Sequence, residues 1–130
     1  MYFHEDHLSE LNRDLPLSAK VDLIRHRMRE SWPFVDRLAV ALYEEGNDLL
    51  KTFVHSTEGG LTPLSQYQAP LAESESLSQM AREARPRLVD DLSVFARSPK
   101  LHNQRVTAEG FRSSYTLPMY RNGQFFGFVF

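Results

Sequence analysis

The stretch FRSSYTLPMYRNGQFFGFVF, residues 111–130, decides how this chain folds. Asn122-Gly123 stands between two runs rich in apolar and aromatic residues, and Asn-Gly supplies the positive φ angles that a two-residue hairpin turn needs. Phe111 to Tyr120 and Gln124 to Phe130 therefore read as antiparallel strands. The second run, FFGFVF, carries no charge, and such a strand avoids edge-to-edge aggregation only in the middle of a sheet. It also runs to the last residue without a polar cap, so the chain reads as a module cut from a longer protein that continues into a helix.

A second hairpin stands upstream. Leu38, Val40 and Leu42 alternate with Ala39, Ala41 and Tyr43, a run apolar enough to be covered on both faces. Glu44 to Asp48 reads as a turn, and Leu49 to Ser56 as the returning strand. The stretch from Thr57 to Glu73, with Gly59, Gly60, Pro63 and Pro70, is a long connection with room for a short helical turn. Ser76 and Gln79 have capping-box spacing, and Leu77, Met80, Ala81 and Ala84 give the helix behind them a face to bury before Pro86. Leu88-Val89 is a very short strand, Asp90-Asp91 precedes a helical turn over Leu92 to Ala96, and Lys100 to Glu109 is a weaker helix stopped by Gly110. Near the start, Leu17, Val21, Ile24, Met28 and Trp32 form a helical stripe that ends before Pro33, and Leu8, Leu11 and Leu15 place a further helix within Tyr2 to Leu15. The longer stripe suits packing on a sheet and a dimer seam equally well.

The 130 residues suffice for one domain, with 1–16 as an N-terminal helical extension and 17–130 as the core. An apolar fraction of 42% and a charged fraction of 25% are those of a folded protein. The net charge of -2 is spread along the chain without a basic stripe, which argues against nucleic acid as a partner. Cysteine is absent, so disulfides, zinc-thiolate sites, iron-sulfur clusters and thiol nucleophiles are excluded, and a reducing, cytoplasmic setting fits. No apolar run approaches the roughly 20 residues that cross a bilayer, and MYFHEDHLSE is not a signal peptide, so no membrane partner is expected. No nucleophile elbow, phosphate-binding glycine loop or His-Glu-x-x-His motif occurs, and the chain does not read as an enzyme.

From Trp32 to Phe130 the chain resembles a GAF domain. The pieces that carry the resemblance are the VDRLAVALYEEGNDLL hairpin, RPRLVDDL with Asp90-Asp91-Leu92, Phe111-Arg112-Ser113 leading to Pro118-Met119, and Gly127 in the closing strand. The resemblance implies an α+β, profilin-like fold with a central antiparallel sheet, N-terminal helices on one face and crossover helices and loops on the other. It implies a sensory or regulatory module that binds a small molecule, dimerises with a second copy, and relays a signal to an output domain in the same chain: a kinase, cyclase, phosphodiesterase or transcription regulator. Members bind cyclic nucleotides, bilins, haem or metabolites, or nothing. Without cysteine, a sulfur-linked bilin and the reduction of free methionine sulfoxide are both ruled out, and the Asn-Lys, Phe and Asp-Glu set of cyclic-nucleotide members does not occur here in order. The cofactor stays unknown. The alternative is a ligand-free dimerisation and relay module whose interior is closed by Phe53, Phe95, Phe111 and Tyr115.

Candidate ligand contacts follow from strand period and from the crossover. Ser113, Tyr115, Leu117 and Met119 share one strand face and Phe53 and His55 share another, although the period does not say which faces meet the crossover. Ser113 and Tyr115 would orient a ligand from an otherwise apolar wall, or else serve as an ordinary backbone-bonded serine and core aromatic. Tyr67, Asp91, Phe95, His102 and Phe111 complete the set, His102 because relatives place ligating or hydrogen-bonding side chains in that region. Asp90 and Asp91 fit a helix cap as well as a ligand contact, and Arg112 fits a surface ion pair as well as an anion clamp. His4 and His7 lack a third partner, and no metal site is expected.

Overall fold

The computed structural model describes residues 8–58, 68–95 and 111–130. Its centre is an antiparallel sheet of six strands: β1 (Arg37–Glu44), β2 (Leu49–Thr57), β3 (Gln68–Pro70), β4 (Arg87–Val89), β5 (Ser114–Arg121) and β6 (Gln124–Val129). Their spatial order is β3-β2-β1-β6-β5-β4, so the uncharged C-terminal run lies mid-sheet as its sequence requires. Phe128 is 0% exposed. Asn122 (φ 51°) and Gly123 (φ 77°) both adopt positive φ and turn β5 into β6. The expected helix over Lys100 to Glu109, His4, His7, Tyr67 and His102, and the side chain of Phe95, lie outside the described residues.

Two helices cover opposite faces. α2 (Glu75–Glu83) and the short turn Leu71–Glu73 bring Leu71, Leu77 and Met80 against Leu50 and Phe128, where Tyr43 and Phe125 also pack. The Phe125 and Phe128 rings lie 4.9 Å apart, within the range of favourable aromatic pairs. α1 (Leu17–Ser31) lies on the other face, and its central contact is charged. Arg25, 4% exposed, donates from Nε to Ser56 Oγ at 2.7 Å and pairs with Glu58, while Ser56 in turn donates to Asp22. Arg29 bonds the Val35 carbonyl at 2.8 Å and Asp36 at 3.1 Å, fixing the passage from α1 into β1.

Several local expectations are corrected. The stripe on α1 docks only in its middle: Val21 is buried, whereas Leu17 and Trp32 overhang the sheet, Trp32 being 52% exposed. Within the described part of Tyr2 to Leu15 there is one 3-10 turn, Ser9–Asn12, followed by extended Arg13, because none of its residues is buried to hold a longer helix. The cap of α2 is Ser74, whose extended backbone lets its Oγ accept from Leu77 N at 3.3 Å, and Ser76 sits inside the helix. β3 was not anticipated: its three residues, ending in Pro70, pair with Leu49 to Lys51 on the outer side of β2. A β-bulge moves β2 from Val40↔Val54 to Ala41↔Thr52, leaving Phe53 as the extra residue and breaking the face it was expected to share with His55.

Gly127 and Glu58 give two tests. A Cβ on Gly127 would lie 2.2 Å from the Ala41 carbonyl oxygen, an approach that backbone on both sides cannot relieve. Gly127→Ala is expected to destabilise by about 3 kcal/mol in urea unfolding, and a change within about 0.5 kcal/mol would contradict this packing. The hydrogen bond from Arg25, with the Arg29 charge beside it, holds the Glu58 carboxyl below its ordinary 4.5. A depressed carboxyl stabilises fully above its unfolded pKa and loses that contribution as pH falls through its folded pKa. Glu58→Gln should therefore be less stable than the parent at pH 7, and the two should converge as acid protonates Glu58; a constant gap across the titration would refute the linkage.

Candidate functional site

Just past β6, Phe130 exchanges backbone hydrogen bonds with Ala39 (2.9 and 2.8 Å), while Arg37 and Leu38 of β1 and Ser114 to Thr116 of β5 run further along the sheet. A concavity of about 640 Å³ lies at this end of the sheet and is lined by residues of both faces. That size is ordinary for a small-molecule site. On the α2 side its wall includes Ala39, Ala41, Leu50, Leu77, Leu92 and Phe130, with Ser74, Arg37 and Arg87 among the polar groups. On the α1 side it is lined by Met28, Phe34, Leu38, Leu88, Tyr115 and Leu117.

Specific contacts place this lining. Asp48, left-handed at φ 52°, closes the β1–β2 turn, and its carboxylate accepts from Tyr43 Oη at 2.8 Å and from Ala72 N at 3.2 Å. Its carbonyl accepts from Leu71 N at 2.9 Å, so the hairpin tip fixes the chain segment that carries Pro70, Glu73 and Ser74 to the wall. The same carboxylate pushes the Tyr43 phenol above its ordinary 10.0, first through the hydrogen bond it accepts. On the far side, β4 pairs Arg87 with fully buried Thr116, which sets Arg87 on the α2 side of the sheet. One Arg87 terminal nitrogen donates to Ser76 Oγ at 2.5 Å, and burial pushes its guanidinium pKa down. Leu92 N donates to the Arg112 carbonyl at 2.8 Å and holds the start of β5 beside the turn Leu92–Phe95.

Of the residues expected from the sequence, Phe111, Ser113 and Tyr115 line the concavity, as does Arg112. The face left open by period is now assigned. Tyr115 pairs with Leu88 and, like Leu117, lies on the α1 side, 53% exposed, while Thr116 between them faces α2. Phe53, 56% exposed, and His55 are not among the described lining residues, although His55 shares the α2 side with its partner Ala39. Neither Phe53 nor Tyr115 closes the interior; Phe128 and Leu92 do, because the bulge and the β5 register turn the two expected rings outward. Asp91 is exposed and caps the following turn, its Oδ1 accepting from Ser93 N at 2.9 Å, and these bonds to Ser93 hold its carboxyl below the ordinary 3.8. Arg37, Arg87, Leu77 and Ser114 were missed. The strand period contained the parity of Arg87, but only the pairing with Thr116 fixes its side.

Among the described residues no group of three or more His, Cys, Asp and Glu side chains could hold a metal ion. No described helix is long and apolar enough to cross a membrane.

No protein-family model matches the chain, and neither does any curated protein. Solved structures do. The phycocyanobilin-bound GAF domain of a cyanobacterial phytochrome aligns with 93% of this chain and 72% of its own, at 15% identity and a TM-score of 0.63. The GAF domain of a phosphoenolpyruvate-protein phosphotransferase from Coxiella burnetii aligns with 92% of this chain and 68% of its own, at 15% identity and a TM-score of 0.65. The chromophore-binding domain of a bacteriophytochrome from R. palustris aligns over 95% of this chain, which spans about half (49%) of that structure, at 13% identity and a TM-score of 0.63. The six-stranded antiparallel sheet with a helix on each face, matched over nearly its whole length by these structures, is the α+β fold of GAF domains.

Proposed function

We propose that this chain is a non-catalytic sensory or regulatory GAF module that binds a small molecule in the concavity at the β6 end of the sheet and relays its occupancy to an output domain. The observation that carries this reading is the concavity itself: about 640 Å³, mostly apolar walls, and a few placed polar groups from Ser74, Arg87 and Ser114. Its wall joins elements distant in sequence, so a ligand there contacts β1, α2 and the start of β5 together. A ligand that prefers one arrangement of these elements shifts the population toward it. The partner in cis would be a kinase, cyclase, phosphodiesterase or transcription regulator, in a cytoplasmic protein that pairs with a second copy.

One observation favours the second reading, a ligand-free dimerisation and relay module. Trp32, Phe34, Leu88, Tyr115 and Leu117 are exposed large apolar side chains, and four of them border the concavity from the α1 side. Exposed apolar surface of this kind marks interaction sites.

Thermal melting across cyclic nucleotides, haem, biliverdin, organic acids and amino acids separates the two. A ligand present at about 100 times its Kd stabilises a folded binder by about 2.7 kcal/mol, so at least one compound should raise the Tm. That shift should disappear in Ser114→Phe, which fills the concavity from its wall. No shift from any compound, with self-association seen in sedimentation, would favour the second reading.

A further inference from the structure

Most polar side chains around the concavity are engaged within the protein, which limits what a ligand finds there. Asp36 faces Arg29 at 3.1 Å, Ser74 Oγ accepts from Leu77 N at 3.3 Å, and Arg87 donates to Ser76 Oγ at 2.5 Å. Arg37 is likewise engaged, and Arg87 makes a further interaction besides. The other two charged side chains of the wall, Glu73 and Arg112, are exposed and of opposite sign. Ser114 differs from all of these. It is half-buried on β5, two residues before fully buried Thr116, and its Oγ lies 3.5 Å from Thr116 Oγ1. A hydroxyl carries one donor and two acceptor sites, so this long contact leaves Ser114 able to bond a ligand as donor or acceptor. Apolar groups make up most of the remaining wall, among them Ala39, Leu77, Leu92 and Phe130.

We infer that the ligand of this concavity is an uncharged, mainly apolar molecule with one hydrogen-bonding group, a carbonyl, amide or hydroxyl, met by Ser114 Oγ, and that its body lies against Ala39, Leu77 and Phe130. The inference rests on the reading that the concavity holds a ligand, and adds the chemical class of that ligand. A neutral amide or alcohol gives up modest hydration on entering and recovers it in the bond to Ser114. A carboxylate or ammonium gives up far more, and meets apolar carbon and side chains that already have partners. Affinity then comes from apolar contact, which grows with each methylene placed against the wall.

Calorimetric titration of the whole chain at pH 7 with hexanamide, octanamide, octanoate and octylammonium tests this. A methylene group moved from water to an apolar wall is worth roughly fourfold in affinity, so octanamide should bind about tenfold more tightly than hexanamide. It should also bind at least about tenfold more tightly than either of the two ions of the same chain length. Ser114→Ala should lower the affinity for octanamide about fivefold and leave the ratio between the two amides within about twofold of its parent value. Either ion binding as tightly as octanamide would overturn the assignment of an uncharged ligand while leaving a ligand site in place. Equal affinities for the two amides would overturn the apolar body, and an octanamide affinity unchanged in Ser114→Ala would overturn the role of Ser114. Binding of none of the four would overturn the inference, and the melting panel would then decide separately whether the concavity binds anything. The amide-to-ion comparison uses the unaltered protein, so it decides even where the variant fails to fold.

Discussion

The contact on which the rest of the structure depends is the approach of β6 to β1 at Gly127, where a Cβ would lie 2.2 Å from the Ala41 carbonyl oxygen. Because no side chain intervenes there, Ala41 pairs with Phe128 and the Phe128 ring turns wholly into the core under α2. Phe125, Tyr43 and Phe130 then gather around it. The small side chains of Ala39 and Ala41 on the same face leave the space that becomes the inner wall of the concavity. Core and cavity thus share one cause: β1 carries alanine on its α2 side, which lets β6 and the crossover come close while the sheet end stays open.

The two faces are held by different physics. α2 docks through Leu77 and Met80 against Leu50 and Phe128, an apolar contact with no titratable side chain among these four. α1 docks through Arg25, Arg29, Asp22, Ser56 and Glu58, with Val21 as its one buried apolar side chain. A buried arginine paired to carboxylates contributes orientation more than net stability, and breaking one partner leaves an uncompensated charge. The helix is therefore set at a defined angle by directional bonds.

Much of this was legible in the sequence. Leu38 to Tyr43 with Leu49 to Ser56, and the runs around Asn122-Gly123, gave both hairpins, because alternation and turn chemistry act locally and agree with each other. The central place of FFGFVF followed from its lack of charge. β3 was hidden because three residues ending in proline carry no period. Arg25 was hidden because charged residues are read as exposed, and its burial depends on Ser56 and Glu58, more than 30 positions away. The candidate site was legible only in part. Ser113, Tyr115 and Phe111 reach the concavity, but the bulge at Phe53 interrupts the period from which its shared face with His55 was inferred. Arg87 emerges only when β4 is set against β5.

The central claim is that the β6 end of the sheet is a ligand site, and amide chemical-shift mapping of the isotopically labelled chain, titrated with the compound of the melting panel that raises the Tm most, addresses it most directly. The account predicts that saturable shifts concentrate at Arg37, Ala39, Leu77, Arg87, Ser114 and Phe130, with little change along the outer face of α1. Shifts that are scattered over the surface and do not saturate, or that centre on Leu17 and Trp32, would contradict it.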